Sequence, residues 1–135
     1  MKQIYSKLNP SLLLHVVLSQ SDFSGRQEII SEQNFLQLAT LELAKGQEFS
    51  AHRHIEKNVN FSKFYAQESW VVLSGEVEVF YFDINDSEIE RQTLHAGEVS
   101  ITLQGGHGYK ILENAKVLEF KTGPYFGREA DKIFI

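Results

Sequence analysis

The chain has 135 residues, 42% hydrophobic and 23% charged, with ten Phe and five Tyr, which is the make-up of one folded domain and excludes a disordered chain. Thirteen Lys and Arg against eighteen Asp and Glu leave a formal charge of -5, with no basic block long enough to follow a phosphate backbone, so no nucleic-acid partner is expected. The absence of cysteine removes disulfides, thiolate metal sites and a Cys nucleophile, and leaves any metal to His and carboxylates.

Apolar and β-rich runs recur at 12–19, 35–43, 69–73, 77–82, 99–103, 109–112 and 117–121, with breaks that carry Gly, Asn, Asp or Ser. Short strands punctuated in this way predict an all-β sandwich or closed barrel. The run at 12–18, interrupted by His15, is far shorter than the roughly 20 residues of a membrane helix. It also lacks the basic start and cleavage site of a signal peptide, so no membrane is expected and a cytoplasmic location is. Residues 56–66 are the best helical candidate, but Asn58, Val59, Asn60 and Ser62 are poor helix formers, and the segment reads as a loop interrupting the barrel. Ser74, Gly75 and Glu76 separate two apolar runs, and residues 83–87 form a polar tip, so 70–93 reads as a strand meander. Gly123 and Pro124 close the last strand, and a tail of mixed character follows that can fold back over the barrel or onto a partner chain. One domain is expected over 1–135, with an N-terminal strand segment at 1–34, a core at about 35–123 and the tail at 124–135.

Four residues point to metal chemistry. His52 and His54 are separated by one residue, so on a β-strand both imidazoles leave the same face and can share one ion. Glu68 opens a buried run that ends at the Gly75 turn, and a carboxylate there needs a partner. His107 stands among Gly105, Gly106 and Gly108, which let backbone come close to whatever the ring faces. Three imidazoles and one carboxylate suit one divalent transition metal among Fe, Mn, Ni, Cu and Zn. Glu56 is the rival carboxylate. It would share the histidine face if the strand continued, but the polar residues after it favour exposure.

These residues resemble the motifs of the cupin superfamily. Gly46 is followed after five residues by His52 and His54, and Glu68 after six residues by Gly75, matching both halves of the first cupin motif by count. The gap of thirteen residues between His54 and Glu68 is longer than the family's, so Glu68 is assigned from the strand that follows it. The second motif is degenerate: it begins at Gly97 and reaches Gly105, Gly106 and His107, but Leu103 replaces its Pro, one residue is missing before the His, and Ile111 replaces its Asn. The resemblance covers roughly 35–123. With Gln67 and the ending 119–132, the chain looks like a set of small bacterial cupins encoded beside surface-sugar or nucleotide-sugar pathways.

The resemblance implies a double-stranded β-helix, or jelly-roll barrel, holding the metal through His52, His54, Glu68 and His107. It further implies a pocket at the barrel mouth lined by Glu119, Lys121 and Tyr109 as proton-moving groups, with Gln67 and Tyr125 beside them. A small oxygen-rich substrate such as a sugar or nucleotide sugar is expected, with isomerase or epimerase chemistry. The alternatives are a metal-dependent dioxygenase, a non-catalytic binding module for a saccharide or small acid, and a structural barrel stapled by its metal. Cupins commonly dimerise through sheet edges, so a homodimer is expected, with the run at 12–18 as the exchanged strand. His15 and His95 read as structural or solvated histidines, Trp70, Phe80 and Phe120 as core or interface aromatics, and Lys57 and Lys63 as a solvated charge pattern.

Overall fold

The computed structural model describes residues 1–31, 34–54, 64–123 and 126–135. Glu56, Lys57, Lys63 and Tyr125 lie outside them, as does most of the segment read as a loop. The strands are β1 (Lys2–Tyr5), β2 (Leu13–Leu18), β3 (Gln27–Glu28), β4 (Ala39–Thr40), β5 (Glu68–Ser74), β6 (Val77–Phe82), β7 (Glu88–Leu94), β8 (Val99–Thr102), β9 (Gly106–Ile111) and β10 (Lys116–Lys121). One short helix, α1 (Arg128–Asp131), lies in the tail. No helix of the described residues is long and apolar enough to cross a membrane.

Every pairing is antiparallel. A five-stranded sheet runs β1-β2-β8-β5-β10, a three-stranded sheet runs β7-β6-β9, and β3 pairs with β4. Alternation places the three-stranded sheet: Val77, Val79 and Tyr81 of β6 are fully buried while Glu78, Phe80 and Phe82 are half-buried. Their inner faces meet Ile4, Val17 and Val72 of the large sheet, with Leu94 of β7 completing this core. Apart from His15, strand β2 is apolar without alternation because both its faces are covered. Val17 points into the inter-sheet core, while Val16 joins Ile30, Ile101 and Leu103 in a second cluster on the outer face of the large sheet. The cover there is a hairpin-like segment tied by hydrogen bonds from the Ile29 and Ile30 amides to the Leu38 carbonyl, at 2.8 and 3.2 Å.

Among the described residues no backbone ladder joins the two sheets, so they form a sandwich. Side chains bridge one side, where Lys2 of β1 reaches Glu90 of β7 at 3.0 Å. Strand β2 lies within its own sheet, between β1 and β8. The expected strand at 35–43 is confined to Ala39–Thr40, and 41–54 is irregular, turning through the Gln47 amide bond to the Ala44 carbonyl at 3.2 Å. That stretch has no ladder partner among the described residues, which is what an extended apolar segment needs to become a strand.

Tyr81 carries a polar group into the core: its hydroxyl hydrogen-bonds the Ser100 hydroxyl at 2.8 Å, and burial pushes its pKa up to about 12. Tyr81→Phe leaves Ser100 unpaired, and we expect a loss of about 1–2 kcal/mol in urea unfolding. The double variant Tyr81→Phe, Ser100→Ala should then cost less than the sum of the singles; strict additivity would show that the bond does not couple the sheets.

Candidate functional site

Register brings the polar residues of the inner faces into two facing rows. Across the large sheet His15 pairs with Thr102, Thr102 with Glu68, and Glu68 with Lys121, so these four share one face. Across the small sheet Tyr81 pairs with His107. The rows meet twice: the His15 and Tyr81 rings lie 4.7 Å apart, and His107 Nε2 is 3.2 Å from Glu68 Oε1. One row further in, Trp70 of β5 stacks on Tyr109 of β9 with centroids 3.7 Å apart and planes within 6°. The Tyr109 ring in turn lies 5.3 Å from that of His107.

The carboxylate and imidazole are largely shielded, with side-chain exposures of 12% for Glu68 and 21% for His107. Burial pushes the Glu68 pKa up, but the hydrogen bond from His107, the charge of that ring and the ammonium groups of Lys132 and Lys121 outweigh it and hold the carboxyl below its ordinary value. Glu68 is therefore an acceptor, and His107 Nε2 donates to it. Burial, then the negative charge of Glu68, raises the Tyr109 hydroxyl far above its ordinary value, and a hydrogen bond with Glu68 acts in the same direction, so this hydroxyl stays protonated. His107 Nδ1 and Trp70 Nε1 are buried with no hydrogen-bond partner among the described residues. Both belong to the run of ring contacts from His107 through Tyr109 to Trp70, beside the Glu68–His107 contact.

His15 is fully buried with both nitrogens bonded. A carbonyl can only accept, so Nε2 donates to Phe82 O at 3.2 Å, and Nδ1 accepts from the Thr102 hydroxyl at 3.1 Å. Burial lowers its pKa to about 4, so the ring is neutral at pH 7. Gly105 closes over this arrangement: a Cβ there would overlap the Phe82 carbonyl oxygen and come 3.4 Å from His15 Nε2.

Of the residues expected to hold a metal, Glu68 and His107 come together. His52 and His54 have rings 5.3 Å apart, but both are exposed on the irregular stretch, where His52 Nδ1 donates to the Ser50 carbonyl at 3.0 Å. Among the described residues no three His, Asp or Glu side chains converge as a metal site. A transition-metal site takes at least three protein ligands. The chemistry of Glu68 and His107, with the unpartnered Nδ1, fits half of such a set, and no step below runs through a metal.

Lys121 adjoins Glu68 across the strands, and Glu119 adjoins Trp70, both on the exposed edge strand β10. Gln67 is engaged structurally, its Oε1 accepting from the Leu36 amide at 2.7 Å. Phe80 lies under the Arg91 guanidinium at 4.4 Å, and His95 contacts Glu76 at 3.2 Å on the surface. Nothing in the sequence pointed to Lys132, whose ammonium charge acts on Glu68 from the tail. Comparison with family models, curated proteins and solved structures finds no match for this chain.

Proposed function

We propose that the chain is a cupin whose site lies at the Glu68–His107 end of the space between its sheets and acts on a small oxygen-rich molecule such as a sugar or nucleotide sugar. The jelly-roll reading rests on the motif counts together with the antiparallel two-sheet arrangement. One observation carries the site: an ionised carboxylate and an imidazole 3.2 Å apart between the sheets, next to a protonated Tyr109 hydroxyl. Such a group suits isomerisation or epimerisation. Glu68 can accept a proton from carbon next to a carbonyl and return it to the neighbouring carbon, with the Nε2–H of His107 orienting the carboxylate, while Tyr109 and Lys121 supply an O–H and a positive charge to the developing oxyanion; Glu119 is a second carboxylate on the same strand as Lys121.

The test is exchange of substrate hydrogen with solvent deuterium, followed by mass spectrometry across a panel of sugars and nucleotide sugars. Glu68→Gln is expected to reduce exchange at least about 100-fold without unfolding the chain. If the parent exchanges nothing across the panel, a non-catalytic binding module replaces the enzyme reading.

A second reading, favoured by the unpartnered His107 Nδ1 and by the 5.3 Å approach of the His52 and His54 rings to each other, assigns His52, His54, Glu68 and His107 to one divalent metal, Fe, Mn, Ni or Zn. Elemental analysis of the parent and of the His52→Ala, His107→Ala double variant checks it: one equivalent in the parent and none in the variant supports the metal, and iron would direct assays to oxygen consumption. No metal in either, after incubation with these ions, sinks it. The chain would act as a homodimer, which sedimentation equilibrium tests directly.

A further inference from the structure

Strand β2 reaches the site without contributing a group to it. The two hydrogen bonds of the buried His15 differ in what they join: Thr102 belongs to β8, in the same sheet as His15, whereas Phe82 belongs to β6, in the other sheet. The bond from Nε2 to the Phe82 carbonyl therefore crosses between the sheets. It crosses beside the Glu68–His107 pair. Thr102 stands opposite Glu68 in the large sheet, and Phe82 stands opposite Gly106, the residue before His107, in the small one. The chain entering β9 is fitted to the same residues. The Leu14 carbonyl accepts from the Leu103 amide at 2.8 Å and from the Gln104 amide at 3.4 Å. Gly105, at φ +81, then passes so close to the His15–Phe82 bond that a Cβ would overlap the Phe82 carbonyl oxygen.

We propose that His15 is the positioning residue of the Glu68–His107 site: its cross-sheet bond to the Phe82 carbonyl sets the sheet separation, and the path of residues 103–106, at which His107 Nε2 meets Glu68 Oε1. This deepens the reading of the site, on whose location it rests, but it requires neither catalysis nor metal. The contact it holds has little slack. At 3.2 Å, a further separation of about 0.4 Å ends the hydrogen bond between Glu68 and His107. Two side chains on different sheets keep such a distance only when the sheets themselves are tied nearby, and His15 supplies that tie from the row in which Glu68 stands.

Substitution separates the two bonds of His15. The amide nitrogen of Gln falls near the place of Nε2 and can donate to the Phe82 carbonyl; the shorter Asn falls near Nδ1, can accept from Thr102, and does not reach the other sheet. The readout is labelling by diethyl pyrocarbonate at pH 7 with a chelator present, quantified for each histidine by peptide mass spectrometry. His107 Nδ1 is buried, so labelling of His107 requires Nε2 to leave Glu68, and the exposed His95 is the internal reference. In His15→Asn the His107 rate should rise about fivefold over the parent, whereas in His15→Gln it should stay near the parent's. Gly25→Ala, which strains the bend before β3, should leave the rate unchanged. Equal rises in His15→Gln and His15→Asn, a matching rise in Gly25→Ala, or no rise in His15→Asn overturns the proposal, because His15 then acts through overall stability or not at all. If His15→Asn does not fold, His15→Leu, which also lacks the cross-sheet bond, takes its place. Any of these failures leaves Glu68 and His107 as the site if Glu68→Gln still abolishes deuterium exchange. Conversely, rescue of the His107 rate by His15→Gln with no deuterium exchange in the parent keeps the positioning role and removes the enzyme reading.

Discussion

Gly75→Ala is expected to destabilise the chain by about 3 kcal/mol or more, read as a shift of the urea midpoint at unchanged slope. Gly75 joins β5 to β6 with φ +80, a left-handed conformation that costs a non-glycine residue about 1–2 kcal/mol. A Cβ would also overlap the Asn114 carbonyl oxygen and stand 2.8 Å from Ala115 Cα. Both are backbone atoms, so no rotamer change can relieve the overlap, and the turn before β10 would have to move. Gly25 separates the two causes, because it has φ +61 but nothing within 4 Å of its Cβ position. Gly25→Ala should therefore cost only the conformational part, about 1 kcal/mol. Equal costs at the two positions would show that the Asn114 contact carries no weight.

Acid should weaken the fold through His15. Its pKa is about 4 in the folded chain against an ordinary 6.5, so between those values the unfolded chain binds more protons. The stability contributed by the neutral ring is complete above about pH 6.5 and is lost as pH falls toward 4, with a full loss of about 3 kcal/mol. The cause is structural: a protonated His15 would be a charge at a site with no exposure, and its Nδ1 could no longer accept from Thr102. Urea unfolding at pH 7 and pH 4.5 should show the parent losing about 2 kcal/mol more than His15→Gln, since carboxylates titrate alike in both. Identical losses would mean that His15 does not titrate across the transition.

Several strands were legible because their reasons are local. The alternation of Val77, Val79 and Tyr81 marks β6, and the apolar run of β2, broken only by His15, marks a strand covered on both faces. Lys2–Tyr5 was not legible. Only Ile4 of that strand is buried, and what makes it a strand is its pairing with β2. At the site, Glu68 and His107 were each legible as residues needing a partner, one from the apolar strand it opens and the other from its glycines. That they meet follows from two register choices, Glu68 opposite Thr102 and His107 opposite Tyr81, which depend on how distant segments pair.

The same-face argument for His52 and His54 holds only for an extended, paired backbone, and the irregular stretch at 41–54 has no ladder partner among the described residues. By itself, the sequence determined an all-β, cysteine-free chain and a short inventory of candidate donors, because composition and the period of apolar residues depend on neighbours along the chain. Tertiary structure alone decided which donors share the inter-sheet space, that both nitrogens of His15 are bonded in the core, and that Ile135 reaches Gly106. Those contacts join residues between 26 and 87 positions apart or lie on a tail with no periodic signal, and they are selected by the packing of one sheet on the other rather than by any local preference.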